Sequence, residues 1–308
     1  MAELVFDARD IVGESIIWSS AEKALYWVDI GARRIHRLEP ESGRHDLWPT
    51  PTIVTSIGMR SDGGFIVGMQ REVCLWSPDG RFESFALPEP DLPDNRLNEG
   101  KVAPDGSFWV ATMQNNLNPD GSPKDMDRAS GAVYRIDPDG GVKQLTPNEY
   151  GISNTMAWTD DGGFLFADTV ANEIYRFDHD VDGRAIGNRR TIVSGFAPGL
   201  PDGSCMDAAG TLWNCRVVGG AAIANFDTDG RLLRMVDLPA TWPTSCTFGG
   251  DDLSTLYVTS ARFTMTADHL AAHPLEGGVF AVNPGVRGRP EPKFGPRPLS
   301  ASVEEEKA

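Results

Sequence analysis

Residues 153–168 read SNTMAWTDDGGFLFAD and residues 13–29 read GESIIWSSAEKALYWVD. In each, a polar residue near the start, Asn154 or Glu14, stands ten or eleven positions ahead of an apolar run, Phe164-Leu165-Phe166 or Leu25-Tyr26-Trp27-Val28. Asn98 before Phe108-Trp109-Val110 and Asp202 before Leu212-Trp213 keep that spacing. Thr55 before Phe65-Ile66-Val67 and Thr244 before Leu256-Tyr257-Val258 complete six copies. Successive runs start 40 to 56 residues apart, close to the interval of a four-stranded propeller blade.

Each copy carries two hairpins, with turns such as Pro78-Asp79-Gly80 and Pro104-Asp105-Gly106 supplying the left-handed residue a tight turn needs. The predicted fold is therefore all-β, a six-bladed β-propeller with four antiparallel strands per blade. A leading strand candidate over residues 3–8 lies outside the first repeat and is expected to close the last blade. Only residues 266–273 look helical, which argues against a two-domain α/β chain. One propeller domain is expected over 1–289, followed by a Pro-rich, then acidic, disordered tail over 290–308.

The composition narrows the function. With 33 Gly and 22 Pro in 308 residues, the chain is rich in turns. A net charge of −16 without a basic stripe argues against a phosphate-backbone or anionic-membrane partner and favours a neutral small molecule. The four cysteines form no Cys-x-x-Cys pair and read as reduced core residues. No apolar run approaches the ~20 residues a membrane helix needs, and the start lacks a signal-like segment, so a cytoplasmic monomer or weak homo-oligomer is expected.

In a closed ring the six leading residues converge on one axis. Two carboxylates, Glu14 and Asp202, with the amides Asn98 and Asn154 form an oxygen-rich set suited to one divalent cation: Ca²⁺, Mg²⁺ or Mn²⁺, with Zn²⁺ or Fe²⁺ possible. Asp202 could be another turn residue, but Asp207 to Gly210 already fill the turn of its repeat. No histidine occupies a leading slot, which leaves a three-His zinc site or a Ser-His-Asp triad without support. Arg96 reads equally as a fork donor to substrate oxygens or as a surface charge. The polar insert 114–130 reads equally as a lid or a surface loop. Asp168, Arg216 and Ser260 share a slot further along, near the channel or at strand ends.

At these residues the chain resembles the senescence-marker-protein/gluconolactonase family, the regucalcin-like sugar lactonases. The likeness runs from Gly13 to about Val282. It rests on Gly13-Glu14, the segment from Asn95-Arg96 to Val102, Ala111-Thr112-Met113, Ser153-Asn154 with Ala157-Trp158, Phe166 to Thr169, Asn188-Arg189-Arg190, and Pro201-Asp202-Gly203 with Asp207. The resemblance implies metal-dependent hydrolysis of an aldonolactone to the aldonic acid. It also implies Glu14, Asn154 and Asp202 as metal ligands, Asp202 as general base, and Arg96 and Asn98 as holders of substrate hydroxyls or an ordered water, with Glu99 beside them as a substrate contact. Three departures stand out: Ser15-Ile16 replaces a frequent Gly-Pro, Glu99 replaces an Asp, and no Glu follows Met113. An arylesterase or phosphotriesterase on the same scaffold, and a non-catalytic Ca²⁺-binding propeller, are the alternatives.

Overall fold

The second strand of each repeat is apolar because neighbouring sheets cover both its faces. Ala24–Asp29, Phe65–Met69, Phe108–Gln114, Gly163–Asp168 and Leu212–Val217 are buried at every position, and Thr255–Ser260 at all but its first. The structure, a computed structural model, describes residues 2–180 and 184–296. It forms six four-stranded antiparallel sheets, each blade running outward in chain order from its inner strand. The inner strands are Gly13–Ser19, Val54–Met59, Asn95–Val102, Ser153–Trp158, Leu200–Met206 and Pro243–Gly249. Each packs on the next and the first packs on the sixth, closing a ring. The fourth strand of the last blade is Glu3–Phe6, paired with Val279–Val282, so the N-terminal strand ties the ends together as expected.

Aromatic pairs fill the wedges between blades. Ring centroids are 4.5 Å apart for Tyr26 and Phe65, 4.7 Å for Trp109 and Phe164, 5.9 Å for Trp213 and Phe248, and 5.9 Å for Trp18 and Tyr257. Each such contact contributes about 0.5–1.5 kcal/mol beyond its area burial. The four cysteines are free and buried. Ala267–Ala272 forms the helix described, capped by Thr266, and no helix among the described residues is long and apolar enough to cross a membrane.

The expectation of a detached tail from Pro290 fails for residues 290–296. This segment crosses the C-terminal ends of the inner strands as a strap. Arg289 binds the Asp160 carboxylate at 2.7 Å, Thr247 donates to Glu291 at 2.8 Å, and Phe294 and Gly295 donate backbone N–H groups to Met59 and Gly106. Phe294 is buried against Phe85, and its apolar ring outweighs the disorder signal of the prolines around it. Residues 181–183 and 297–308 lie outside the described residues.

Candidate functional site

All six inner strands are broken by a register shift at the leading residue. Pairing jumps between Glu14 and Ile17, Val54 and Ser56, Leu97 and Gly100, Asn154 and Met156, Pro201 and Ser204, and Pro243 and Cys246. A bulge opposes extra residues to one partner residue and re-aims their side chains. Here it separates consecutive residues: Glu14, Asn98, Asn154, Asp202 and Thr244 line one cavity, whereas Ser15, Glu99 and Ser245 line the channel beneath it. Ser15 and Thr155 take φ values of 51° and 53° to make this turn. Gly203 has no room for a Cβ, which would lie 2.7 Å from the Thr244 carbonyl oxygen. Hydroxyls next to the heads bind neighbouring blades: Ser15 Oγ accepts from Ile57 N at 2.9 Å, and Thr155 Oγ1 donates to Asp202 O at 2.5 Å.

The cavity, about 230 Å³, lies at the N-terminal ends of the inner strands, opposite the strap. A directed chain of hydrogen bonds runs along one side of it. Arg96 Nη1 donates to Asn98 Oδ1 at 2.7 Å, and Asn98 Nδ2 to Asn154 Oδ1 at 3.2 Å. Asn154 Nδ2 then donates to Thr169 Oγ1 at 2.9 Å, and Thr169 Oγ1 to Pro201 O at 2.8 Å. The network fixes both amides with Asn154 Oδ1 as an acceptor, and that oxygen keeps one lone pair free.

Electrostatically the floor is strained. Burial, with Glu99 nearby, raises the Glu14 carboxyl from 4.5 to about 8, and burial together with Glu14 and Glu99 raises Asp202 well above its ordinary range. The two carboxyl groups are within hydrogen-bonding reach of each other. Burial lowers the Arg96 guanidinium to about 10. Two buried acids held above their ordinary range by burial and by neighbouring carboxylates, beside an oriented amide oxygen, are the environment a divalent cation relieves. The donor set Glu14, Asn154 and Asp202 therefore fits such an ion.

A second cluster has a different character. Asp10, Asp29 and His36 bring one potential ligand atom each within 4.8 Å of the others. Arg34 already lies 3.3 Å from Asp10 and 3.0 Å from Asp29, and Trp27 Nε1 donates to Asp10 at 2.7 Å. The Arg34 cation occupies the role a metal would take, so the cluster is a structural ion-pair network.

The family model of the SMP-30/gluconolactonase/LRE-like region matches residues 12–262. The chain belongs to this family. It is 35% identical over 289 residues to a 6-deoxy-6-sulfogluconolactonase of Pseudomonas putida, covering 92% of this chain and 95% of that one. It is 35% identical over 296 residues to a pentonolactonase of Haloferax volcanii, covering 93% and 96%. Among solved structures, a regucalcin of Agrobacterium tumefaciens described as calcium-binding superposes with a TM-score of 0.87 at 28% identity, covering 96% of this chain and 97% of that one.

Ser15 sits at a left-handed φ of 51°, a conformation that Gly adopts without strain. Glu14, Arg96, Asn98, Asn154 and Asp202 are brought together, but Glu99 is not: the bulge turns it into the lower channel near Lys101. The insert after Met113 is a fixed wall. Asn116 Oδ1 accepts from Arg96 Nε at 3.2 Å and Nη2 at 2.9 Å, while Leu117 is buried against the cavity. Asn116, Leu117 and Thr169 had no spacing signal in the sequence.

The Asp168, Arg216 and Ser260 slot is structural. Asp168 accepts from Gly151 N at 2.8 Å, Ser260 Oγ donates to Gly278 O at 2.8 Å, and Arg216 donates to Gly199 O at 2.7 Å, Phe196 O at 2.8 Å and Asn214 Oδ1 at 3.0 Å. An ammonium cannot span these acceptors as the planar guanidinium does. Arg216→Lys is expected to destabilise the protein by about 2–3 kcal/mol, read as a lower urea midpoint at unchanged slope. A change below about 0.5 kcal/mol would contradict this assignment.

Proposed function

We propose that the protein is a lactonase of the cytoplasm that hydrolyses an aldonolactone to its aldonic acid at this axial cavity. The reading rests on two buried carboxyl groups held above their ordinary range beside an oriented amide oxygen, in a family whose named relatives include two lactonases. Glu14, Asn154 and Asp202 would hold one divalent cation. Such an ion supplies Lewis-acid polarisation of a carbonyl and eases ionisation of water.

The chain's own groups supply the rest. Asp202 accepts the proton of the attacking water as general base, and that proton is available to the ring oxygen when the ester C–O bond opens. Arg96, braced on Asn116, has one Nη2 N–H beyond its bonds to the protein to donate to a lactone oxygen, and Asn98, whose Nδ2 is held by Ser153 O and Asn154, offers the second lone pair of Oδ1 to a lactone hydroxyl. Glu14, fastened through Oε2 to Ser15 N at 2.8 Å, balances charge without moving.

The test is a substrate panel: γ- and δ-aldonolactones against aryl esters and organophosphates. At least one aldonolactone should exceed every aryl ester and phosphotriester in kcat/KM by about 100-fold or more, since only the lactone offers hydroxyls to the polar floor. A phosphotriester or aryl ester at the top of the panel would replace this reading with an esterase of another kind. An ion held without any turnover would replace it with a binding role.

A further inference from the structure

Above its polar floor the cavity turns apolar, in a pattern the repeat makes regular. Two residues ahead of each head is a slot at or just before the start of the inner strand. Across the six blades that slot holds Val12, Ile53, Arg96, Ile152, Leu200 and Trp242. Five of the six are hydrophobic, and Val12, Ile152 and Trp242 line the cavity together with Ile30, Leu117 and Phe263.

Arg96 is the one cation among the lining residues, and four of its five N–H groups are committed: its Nε and Nη2 donate to Asn116 Oδ1, and its Nη1 to Asn98 Oδ1 and Leu97 O, which leaves one for the lactone's own oxygens. At the mouth, Val218 leaves 48% of its surface exposed while held at a φ of 58°, a costly conformation for a β-branched residue. An isopropyl group kept in that position faces the ligand with hydrocarbon, and no cation other than Arg96 lines the cavity.

Given the lactone-hydrolysing reading above, on which this rests, we propose that the substrate's end remote from the carbonyl is uncharged hydrocarbon. The substrate class is a deoxygenated aldonolactone ending in a methyl group, and a sulfonate, phosphate or carboxylate at that end is rejected. An anion there would lose its hydration without gaining a partner, and the net charge of −16 already opposes its approach.

Three lactones identical except for a terminal methyl, hydroxymethyl or sulfonatomethyl group test the wall. The methyl compound is expected to lead the hydroxymethyl one by about 10-fold in kcat/KM and the sulfonated one by about 100-fold or more. The matching lactams, which resist hydrolysis, are titrated calorimetrically and should bind the wild-type protein in the same order. Val218→Lys should raise the sulfonate-to-methyl ratio about 10-fold or more. If the lactams bind in this order while no lactone is hydrolysed, the catalytic reading falls and the inference about the wall stands. Equal or better binding and turnover of the sulfonated compound, or no lactam binding at all, would overturn the inference.

Discussion

Asp202→Asn is expected to lower kcat by roughly 10³-fold while leaving the metal-free protein at least as stable as the wild type. The first half follows from the assigned role, because an amide of the same size cannot take a proton from water. The second half follows from burial. The carboxyl is pushed well above its ordinary range by its surroundings, by Glu14 and by Glu99, so a neutral isostere removes a cost. What position 202 gives to the fold passes through its backbone, whose carbonyl accepts from Thr155 Oγ1 and from Asn214 Nδ2 at 3.0 Å. Those bonds survive the substitution. Activity lost with stability kept is the mark of a residue selected for chemistry at a site the fold strains to maintain. Steady-state kinetics and a thermal melt in chelator measure both halves. A kcat within tenfold of wild type on every lactone turned over would remove Asp202 from the reaction, and a marked drop in melting temperature would make its carboxyl structural.

The blades were legible because their second strands are buried on both faces, and a continuous apolar run such as Phe164-Leu165-Phe166 survives any blurring of turn boundaries. Equivalence of the leading residues was legible for the same reason. Its cause was not. The bulge depends on left-handed backbone at Ser15 and Thr155, residues that carry no glycine-like signal, and it breaks the period-two rule at the one place where the rule was needed. Glu99 was misplaced on that account: a neighbour of Asn98 in sequence, it faces the lower channel. The strap failed for another reason. Composition registers prolines, whereas Phe294 is held by backbone bonds with Met59 and Ser61, partners more than two hundred residues away. Asn116 likewise matters through a contact with Arg96, twenty residues distant, that only the folded chain makes. The slot two residues ahead of the heads, apolar in five of the six repeats, was by contrast present in the sequence, and only knowledge of where the heads point gives it meaning.

Removing divalent ions is expected to abolish turnover and to make stability fall as pH rises. In the folded, metal-free chain Glu14 has its pKa raised from 4.5 to about 8. A raised carboxyl contributes its stability fully below the unfolded value and loses it as pH climbs through the folded one, because the unfolded chain ionises first. The window is therefore pH 4.5 to about 8, with a cost of about 4–5 kcal/mol for Glu14. Asp202 shifts in the same direction. Melting temperature in chelator should drop from pH 5 to pH 8, by roughly 1.5 °C per kcal/mol. Adding Ca²⁺ or Mn²⁺ should raise it more at pH 8 than at pH 5, since an ion bound only by the folded state stabilises in proportion to its affinity for ionised ligands. General repulsion among surface acids would also weaken the protein as pH rises, and Glu14→Gln separates the two. The variant removes one axial acid and leaves the surface charge untouched, so its chelated melt should lose much of its slope with pH. An unchanged slope, or full activity after exhaustive chelation, would move the source of the pH dependence, and the metal with it, away from the axis.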